Sequence, residues 1–297
     1  MTTLSIVITT YNRAGVLKEL LDSLETQTDL DFQVVVAIDG STDGTGDMLA
    51  GLSPTYDLKW VDTKCADYGL AVARNQGILA ADRRAVVVLD DDSFPDPGFV
   101  AAHKSSARKG VITAGPRHPA DAKTDPRLAW KMQELLRLPP LTPKSIPEMH
   151  RDWPNVYLLE NNICLLREDW IGMGLFSERL KLYGFIGQEF FARAEFLEMQ
   201  FQLNADAAIR HHGELAGDNG LHTAKKIKQT RRAELLRPTL MAPHHYEAQI
   251  AWARACADGK TAPDMPPWRW HARVLMPARA LRRIAGRGKR WLRRLIK

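Results

Sequence analysis

Runs of apolar, β-branched residues punctuate the first ninety positions: Leu4–Thr10 (LSIVITT), Gln33–Ile38 (QVVVAI), the shorter Leu58–Val61, and Ala85–Leu89 (AVVVL). The strongest of them are apolar almost throughout, as strands covered on both faces must be. Between the first two, Leu17, Leu20, Leu21 and Leu24 recur at helical spacing, and Thr45–Leu52 and Gly69–Ala81 read as further helices. Strands alternating with helices over short connections build βαβ units, hence a parallel sheet with helices on either side.

Beyond residue 115 the pattern changes. Pro, Lys, Arg and Asp dominate from Pro116 to Pro154, an excursion from the sheet with one helix expected around Leu128–Leu138. A second compact part is expected from Val156 to about His212, with Ala205–Ile209 as an edge strand. Pro263–Trp270 (PDMPPWRW) reads as a linker. The expected organisation is one domain over residues 1–213, divided at 115/116, a helical extension over 214–262, and a linker with a basic tail over 263–297.

Ligands of open parallel sheets sit beyond the carboxyl ends of the strands. Three of the runs end in polar clusters there: Thr9-Thr10-Tyr11-Asn12-Arg13, Asp39-Gly40-Ser41-Thr42-Asp43 and Asp90-Asp91-Asp92. Asp39 alone fits a helix cap or an Asx turn, and Ser41 or Asp43 could cap the helix that follows. Asp90-Asp91-Asp92 is harder to read as a turn. Three adjacent carboxylates at the end of a buried strand repel, and a hard divalent cation such as Mg²⁺ or Mn²⁺ relieves the repulsion. By strand alternation Asp90 and Asp92 point the same way and could share that ion.

Together these segments resemble the family 2 glycosyltransferases of the GT-A fold. The likeness runs from SIVITTYNRAGVLKELLDSLETQT through VVVAIDGSTDGT, GLAVARNQGI and VVVLDDDSFPDPGFV to ENNICLLRE, GLFSERLKLYGFIGQEF and AIRHHG, about residues 4–213. It implies an α/β fold: a Rossmann-like mixed sheet flanked by helices, with residues 1–115 binding the nucleotide and 116–213 carrying acceptor and catalytic groups. It further implies that Thr9, Tyr11 and Arg13 line the nucleotide site and that Asp39 accepts the imide N–H of a uracil-type base. Arg74 would contact nucleotide or diphosphate, Asp91 the ribose, and Asp90, Asp92 and His211 a Mn²⁺ or Mg²⁺ cofactor. The general base would be Glu189, with Arg193 one turn on to pair with it, and Asn161 and Asn162 would meet the acceptor. Two departures stand out: Ile38 precedes Asp39 where the family often has a second acid, and Gln188 replaces the first of the acidic pair. Trp130, Trp153 and Trp170 are candidates for sugar stacking, although tryptophan is more often core.

The resemblance implies an inverting, metal-dependent transfer of sugar from a nucleotide-diphospho donor, a UDP-sugar by the Asp39 argument, to a hydroxyl of a glycan, lipid-linked or cell-envelope acceptor. Alternatives are a nucleotidyltransferase on the same sheet, or a nucleotide-sugar-binding protein without turnover.

Charge adds one thing. The chain carries 41 Lys and Arg against 35 Asp and Glu. Residues 268–297 hold eleven of the cations and no acid, and the remainder is mildly acidic. Leu281, Ile284, Trp291, Leu292 and Leu295 recur near helical spacing among those cations, a pattern suited to an anionic membrane surface; docking on a protein surface or on nucleic acid fits the stripe less well. No run reaches the roughly 20 apolar residues of a spanning helix, MTTLSIVITT lacks the look of a signal peptide, and three cysteines are widely spaced. The expectation is a cytoplasmic protein, peripheral on the inner face of the membrane.

Overall fold

The apolar runs form the centre of an eight-stranded mixed sheet in a computed structural model that describes residues 2–65, 69–119, 143–152, 160–180, 186–212 and 243–263. Strands β1 (Leu4–Thr10), β2 (Phe32–Ile38), β3 (Asp57–Asp62) and β4 (Ala85–Asp90) run parallel in the order β3-β2-β1-β4. The sheet continues through β9 (Ile163–Leu166), β6 (Val111–Ala114), β10 (Gln200–Leu203) and β8 (Lys144–Ser145), with β9 antiparallel to both β4 and β6. A second, three-stranded sheet joins β5 (Ser93–Pro95), β11 (Ile209–His211) and β7 (Arg117–Pro119). The edge strand expected over Ala205–Ile209 thus begins only at Ile209, where pairing with β5 becomes available.

Alternation divides the central strands between two cores. Leu4, Ile6 and Ile8 face α1 (Ala14–Leu24), whose Leu17, Leu20, Leu21 and Leu24 are buried, and share this core with Phe99 of α4 (Phe99–Ser106). Val7 and Ala37 face the opposite helix, α3 (Leu70–Ala80), at Gly77. A Cβ on Gly77 would lie 2.4 Å from Val7 Cγ1, so α3 rests on the strands more closely than any side chain permits. Burial of such β-branched side chains contributes about 1.5–3 kcal/mol each.

The remaining described helices are α2 (Thr45–Ala50), α5 (Ile146–Asp152), α6 (Arg167–Gly172), α7 (Ile186–Phe196) and α8 (Pro243–Ala257). Trp170 of α6 is wholly buried, donates its indole N–H to the Val86 carbonyl at 2.9 Å and packs on Phe176 and Phe190. It is a core residue and offers no surface to a sugar. Helix α8 joins the same body through Gln249, whose amide donates to the Gly174 carbonyl at 2.8 Å. The chain divides into two units at Pro266–Pro267. The helix expected over 128–138, Trp130, Trp153 and the tail 268–297 lie outside the described residues. No described helix is long and apolar enough to cross a membrane.

Gly77→Ala should destabilise the protein in urea despite alanine's better helix propensity. Overpacking against Val7 costs about 1–3 kcal/mol, against a propensity gain of about 1 kcal/mol.

Candidate functional site

Register brings the polar strand ends together. Thr9 lies opposite Ala37 on one side and Asp90 on the other, and Thr10 opposite Ile38. The backbone N–H of Asp39 continues the ladder to the Thr10 carbonyl at 2.9 Å. Asp39 and Asp91 therefore emerge one step beyond the same edge, flanking the end of β1.

The loops after β1 and β2 are tied to each other. The Asn12 N–H donates to Ser41 Oγ at 2.9 Å, and the Thr42 N–H to Asn12 Oδ1 at 2.7 Å. Asn12 sits at φ 52°, a left-handed conformation that asparagine tolerates. Asp43 accepts from the N–H groups of Ala14 and Thr45. Burial acts to raise its carboxyl, but these bonds and that of the Thr45 hydroxyl hold it below the usual range. The run of small polar residues after Asp39 thus fastens two loops around a shared crevice.

Asp39 itself is buried. Its Oδ2 accepts the Gly69 N–H at 2.6 Å, while Oδ1 is enclosed without a hydrogen-bond partner among the described residues. Burial pushes its carboxyl above the usual range, against the Gly69 N–H and the neighbouring Cys65 and Thr63 side chains. Thr9 is buried in β1, and Tyr11 is 43 % exposed just past it.

The three aspartates after β4 take separate partners. Asp90 Oδ1 accepts from Arg74 Nη2 at 2.7 Å across the crevice. Asp91 accepts from the Thr10 hydroxyl and from Arg13 Nη1, each at 2.8 Å. Asp92 stands 3.3 Å from Arg13 Nη1 and 3.3 Å from His211 Nε2. The expectation that Asp90 and Asp92 point together fails because β4 ends at Asp90 and the chain turns through Asp91-Asp92. Desolvation pushes Asp91 up to about 6, although Arg13 and Thr10 oppose it. Burial also acts on Asp92, but His211, Arg13 and Arg117 outweigh it and hold the carboxyl below the usual range. On Arg13 the two carboxylates overcome burial and raise the guanidinium further above its ordinary value.

Asp92 and His211 are a carboxylate and an imidazole of the types that bind Mn²⁺ or Mg²⁺ beside a diphosphate. They fit as two donors. Asp90, held by Arg74, does not join them, and no group of three or more His, Cys, Asp and Glu gathers among the described residues. The ring of His212 lies edge-on to Phe94.

Glu189 opens α7, but only 3 % of it is exposed. Both of its oxygens accept from Arg193, Nε at 3.0 Å and Nη2 at 2.8 Å, and Arg193 also donates to the Met173 carbonyl. Arg193 thus pairs with Glu189 as its place one turn on implies, and the fork engages both oxygens of the carboxylate. Asn162 is wholly buried, with its amide bonded to His103 and to the Ala207 carbonyl, so it has nothing to offer an acceptor. Asn161 accepts the Asp90 N–H at 3.3 Å and donates to Ser93 Oγ at 2.8 Å, holding the acidic turn in place.

Sequence reasoning passed over Glu160. Its Oε1 lies 3.5 Å from Arg74 Nη1, and its Oε2 occupies the space in front of Gly187, where an added Cβ would meet it at 2.1 Å. The one hint was its place at the head of ENN, beside two residues already singled out.

A profile of the family described as "Glycosyl transferase family 2" matches residues 5–169. The chain is 30% identical over 232 residues to a validoxylamine A glucosyltransferase of Streptomyces hygroscopicus subsp. jinggangensis, covering 68% of this chain and 51% of that protein. It is 35% identical over 136 residues to a chondroitin synthase of Escherichia coli, covering 45% and 20%. This chain thus spans about half of the first relative's length and a fifth of the second's. Among solved structures, a mannosyltransferase of Pyrobaculum calidifontis in complex with GDP-Man and Mn²⁺ superposes with TM-score 0.56 at 22% identity, covering 88% of this chain and 66% of that one. S. aureus TarS 1-349 in complex with UDP-GlcNAc gives TM-score 0.55 at 20% identity, covering 70% and 57%. These structures share the sheet and helix arrangement described above.

Replacing Arg193 by Met should lower unfolding free energy by about 3–5 kcal/mol, because Glu189 is left buried and unpaired; urea denaturation reads it. Asp91 gives a pH signature. Its pKa is raised on folding to about 6, so the stability tied to its proton is complete below about 4 and lost as pH rises through about 6. Asp91→Asn should therefore gain on the wild type across that window, by at most ~3 kcal/mol, and match it below pH 4.

Proposed function

Since the chain belongs to glycosyl transferase family 2, we propose that it transfers a sugar from a nucleotide-diphospho donor, a UDP-sugar, to a hydroxyl of a glycan or lipid-linked acceptor, inverting the anomeric centre. The observation that carries the donor class is the enclosed Oδ1 of Asp39, which has no hydrogen-bond partner among the described residues. A buried carboxylate oxygen without a donor is costly, and the imide N–H of uracil supplies the missing one. A ring lacking that donor leaves the penalty in place, which is a basis for discrimination.

The remaining roles follow from the side chains around the crevice. Tyr11, exposed beyond β1, offers a stacking face to the base. Asp91 can accept from ribose hydroxyls once it is ionised. Arg13 and Arg74 each hold carboxylates in the crevice and have the planar donor geometry that suits diphosphate oxygens. Asp92 and His211 would hold a divalent cation, Mn²⁺ or Mg²⁺, which neutralises charge developing on the leaving diphosphate. Separation of charge in the leaving group is eased further by the two guanidinium groups. Asn161 fixes the acidic turn and is reserved for that task. The basic segment 268–297 is the candidate for bringing the enzyme to an anionic membrane surface where a lipid-linked acceptor would reside.

A donor screen with Mn²⁺ over UDP-glucose, UDP-N-acetylglucosamine and GDP-mannose, scored by nucleotide release, tests this reading. Release from a UDP-sugar, lost on chelation, is the expected result; release from GDP-mannose alone would exclude the Asp39 argument. In parallel, Asp39→Asn should weaken UDP binding about tenfold to a hundredfold in calorimetry, the worth of one hydrogen bond to a charged group.

A further inference from the structure

With Glu189 closed off, the crevice lacks an assigned group to take the acceptor's proton, and its acids can be compared one by one. Asp39 is bonded to Gly69 in the base pocket, Asp91 and Asp92 share Arg13, and Asp90 holds a 2.7 Å bond to Arg74. Glu189 has both oxygens in the Arg193 fork. Glu160 differs from all of them. Neither of its oxygens makes a hydrogen bond among the described residues; its one polar contact is the 3.5 Å approach of Arg74 Nη1, and its side chain is 21 % exposed.

Its position is specific. Residues 160–162 lead into β9, which runs antiparallel to β4, so the start of this segment lies beside the carboxyl end of β4. Asn161 receives the Asp90 N–H there. The Arg74 guanidinium spans Asp90 and Glu160, one on Nη2 and the other facing Nη1. On its far side Glu160 lies over Gly187, in the first turn of α7, where a side chain on residue 187 would collide with it. Gln188, next along that turn, is exposed and carries no charge. The carboxylate at this end of α7 thus comes from a different element than the one that opens the helix.

Resting on the transferase reading above, we infer that Glu160 is the general base of this enzyme. In the step it serves, the acceptor's hydroxyl oxygen bonds to the anomeric carbon. The bond from that carbon to the diphosphate oxygen breaks, its electron pair leaving with the nucleoside diphosphate. The hydroxyl proton passes to the Glu160 carboxylate. Arg74 keeps Glu160 oriented toward the crevice without occupying it at hydrogen-bond distance, and Arg193 with Glu189 braces the helix behind it.

Water serves as the acceptor in the test, so that no natural acceptor need be known. Donor hydrolysis is measured with Mn²⁺ on whichever sugar nucleotide turns over fastest in the screen above. Glu160→Gln should lower kcat by about 10²–10⁴-fold, flatten the acidic limb of the pH profile, and leave UDP affinity and Tm as in the wild type. Glu160→Asp should retain part of the rate, and formate should restore hydrolysis to Glu160→Ala. Hydrolysis by Glu160→Gln within threefold of wild type overturns the assignment. So does a loss of UDP binding in step with hydrolysis, which would make Glu160 only a partner of Arg74. A larger loss of kcat in folded Glu189→Gln than in Glu160→Gln would return the role to Glu189. Failure of the wild type to turn over any donor would sink the transferase reading itself, and is seen before any variant is made.

Discussion

Carboxylates gathered at one edge of a sheet cannot stay charged unless cations are laid among them, and this compensation governs the structure of the crevice. In-register parallel pairing of β1, β2 and β4 delivers Asp39, Asp90, Asp91 and Asp92 to the same edge. Arg13 comes from the loop after β1 to serve Asp91 and Asp92, and Arg74 rises from α3 to serve Asp90 and to face Glu160. His211 reaches Asp92 from a strand of the second sheet. At an effective dielectric near 20, a pair at 4 Å is worth about 4 kcal/mol, so the placement of two guanidinium groups decides which acids remain available.

The packing elsewhere serves that placement. Gly77 lets α3 lie against β1, and Arg74 is one turn before it on the same helix. Pairing of His211 with Ser93 in the small sheet aligns the imidazole with the residue just before Ser93. The mutual bonds of Asn12 with Ser41 and Thr42 hold the loops after β1 and β2 at a fixed separation. Buried ion pairs of this kind add little net stability compared with apolar packing. They hold geometry instead, which is what a site for an anionic, multiply hydrogen-bonded ligand requires.

The closed fork of Glu189 and Arg193 shows how much the surroundings of a pair decide. Helical spacing alone implies that the two side chains meet, and they do. Whether the carboxylate then faces solvent or is sealed in depends on what packs above it, here the Met173 carbonyl and the Phe190 ring against Arg193. The same distinction separates Asn161 from Asn162, adjacent in sequence, of which the second sits at φ 64° with its amide turned into the core.

The amino-acid sequence by itself determined the sheet-forming runs, the helices between them and the polar strand ends, because periodicity and burial on both faces are local properties of a segment. Strands β1 and β4 and helices α1 and α3 fall within a few residues of the periodicity that announced them. Alternation misled at Asp90–Asp92, since it holds only while the chain stays extended, and where a strand ends is decided by its neighbours. Glu160 was invisible to the same reasoning. Its nearness to Arg74 and Gly187 arises from antiparallel pairing of β9 with β4 and from the docking of α7, contacts between residues far apart in the chain that no local pattern encodes. Which acids are neutralised and which stay open was decided by the tertiary structure, because charge balance depends on distances across the crevice and those exist only once the sheet has closed.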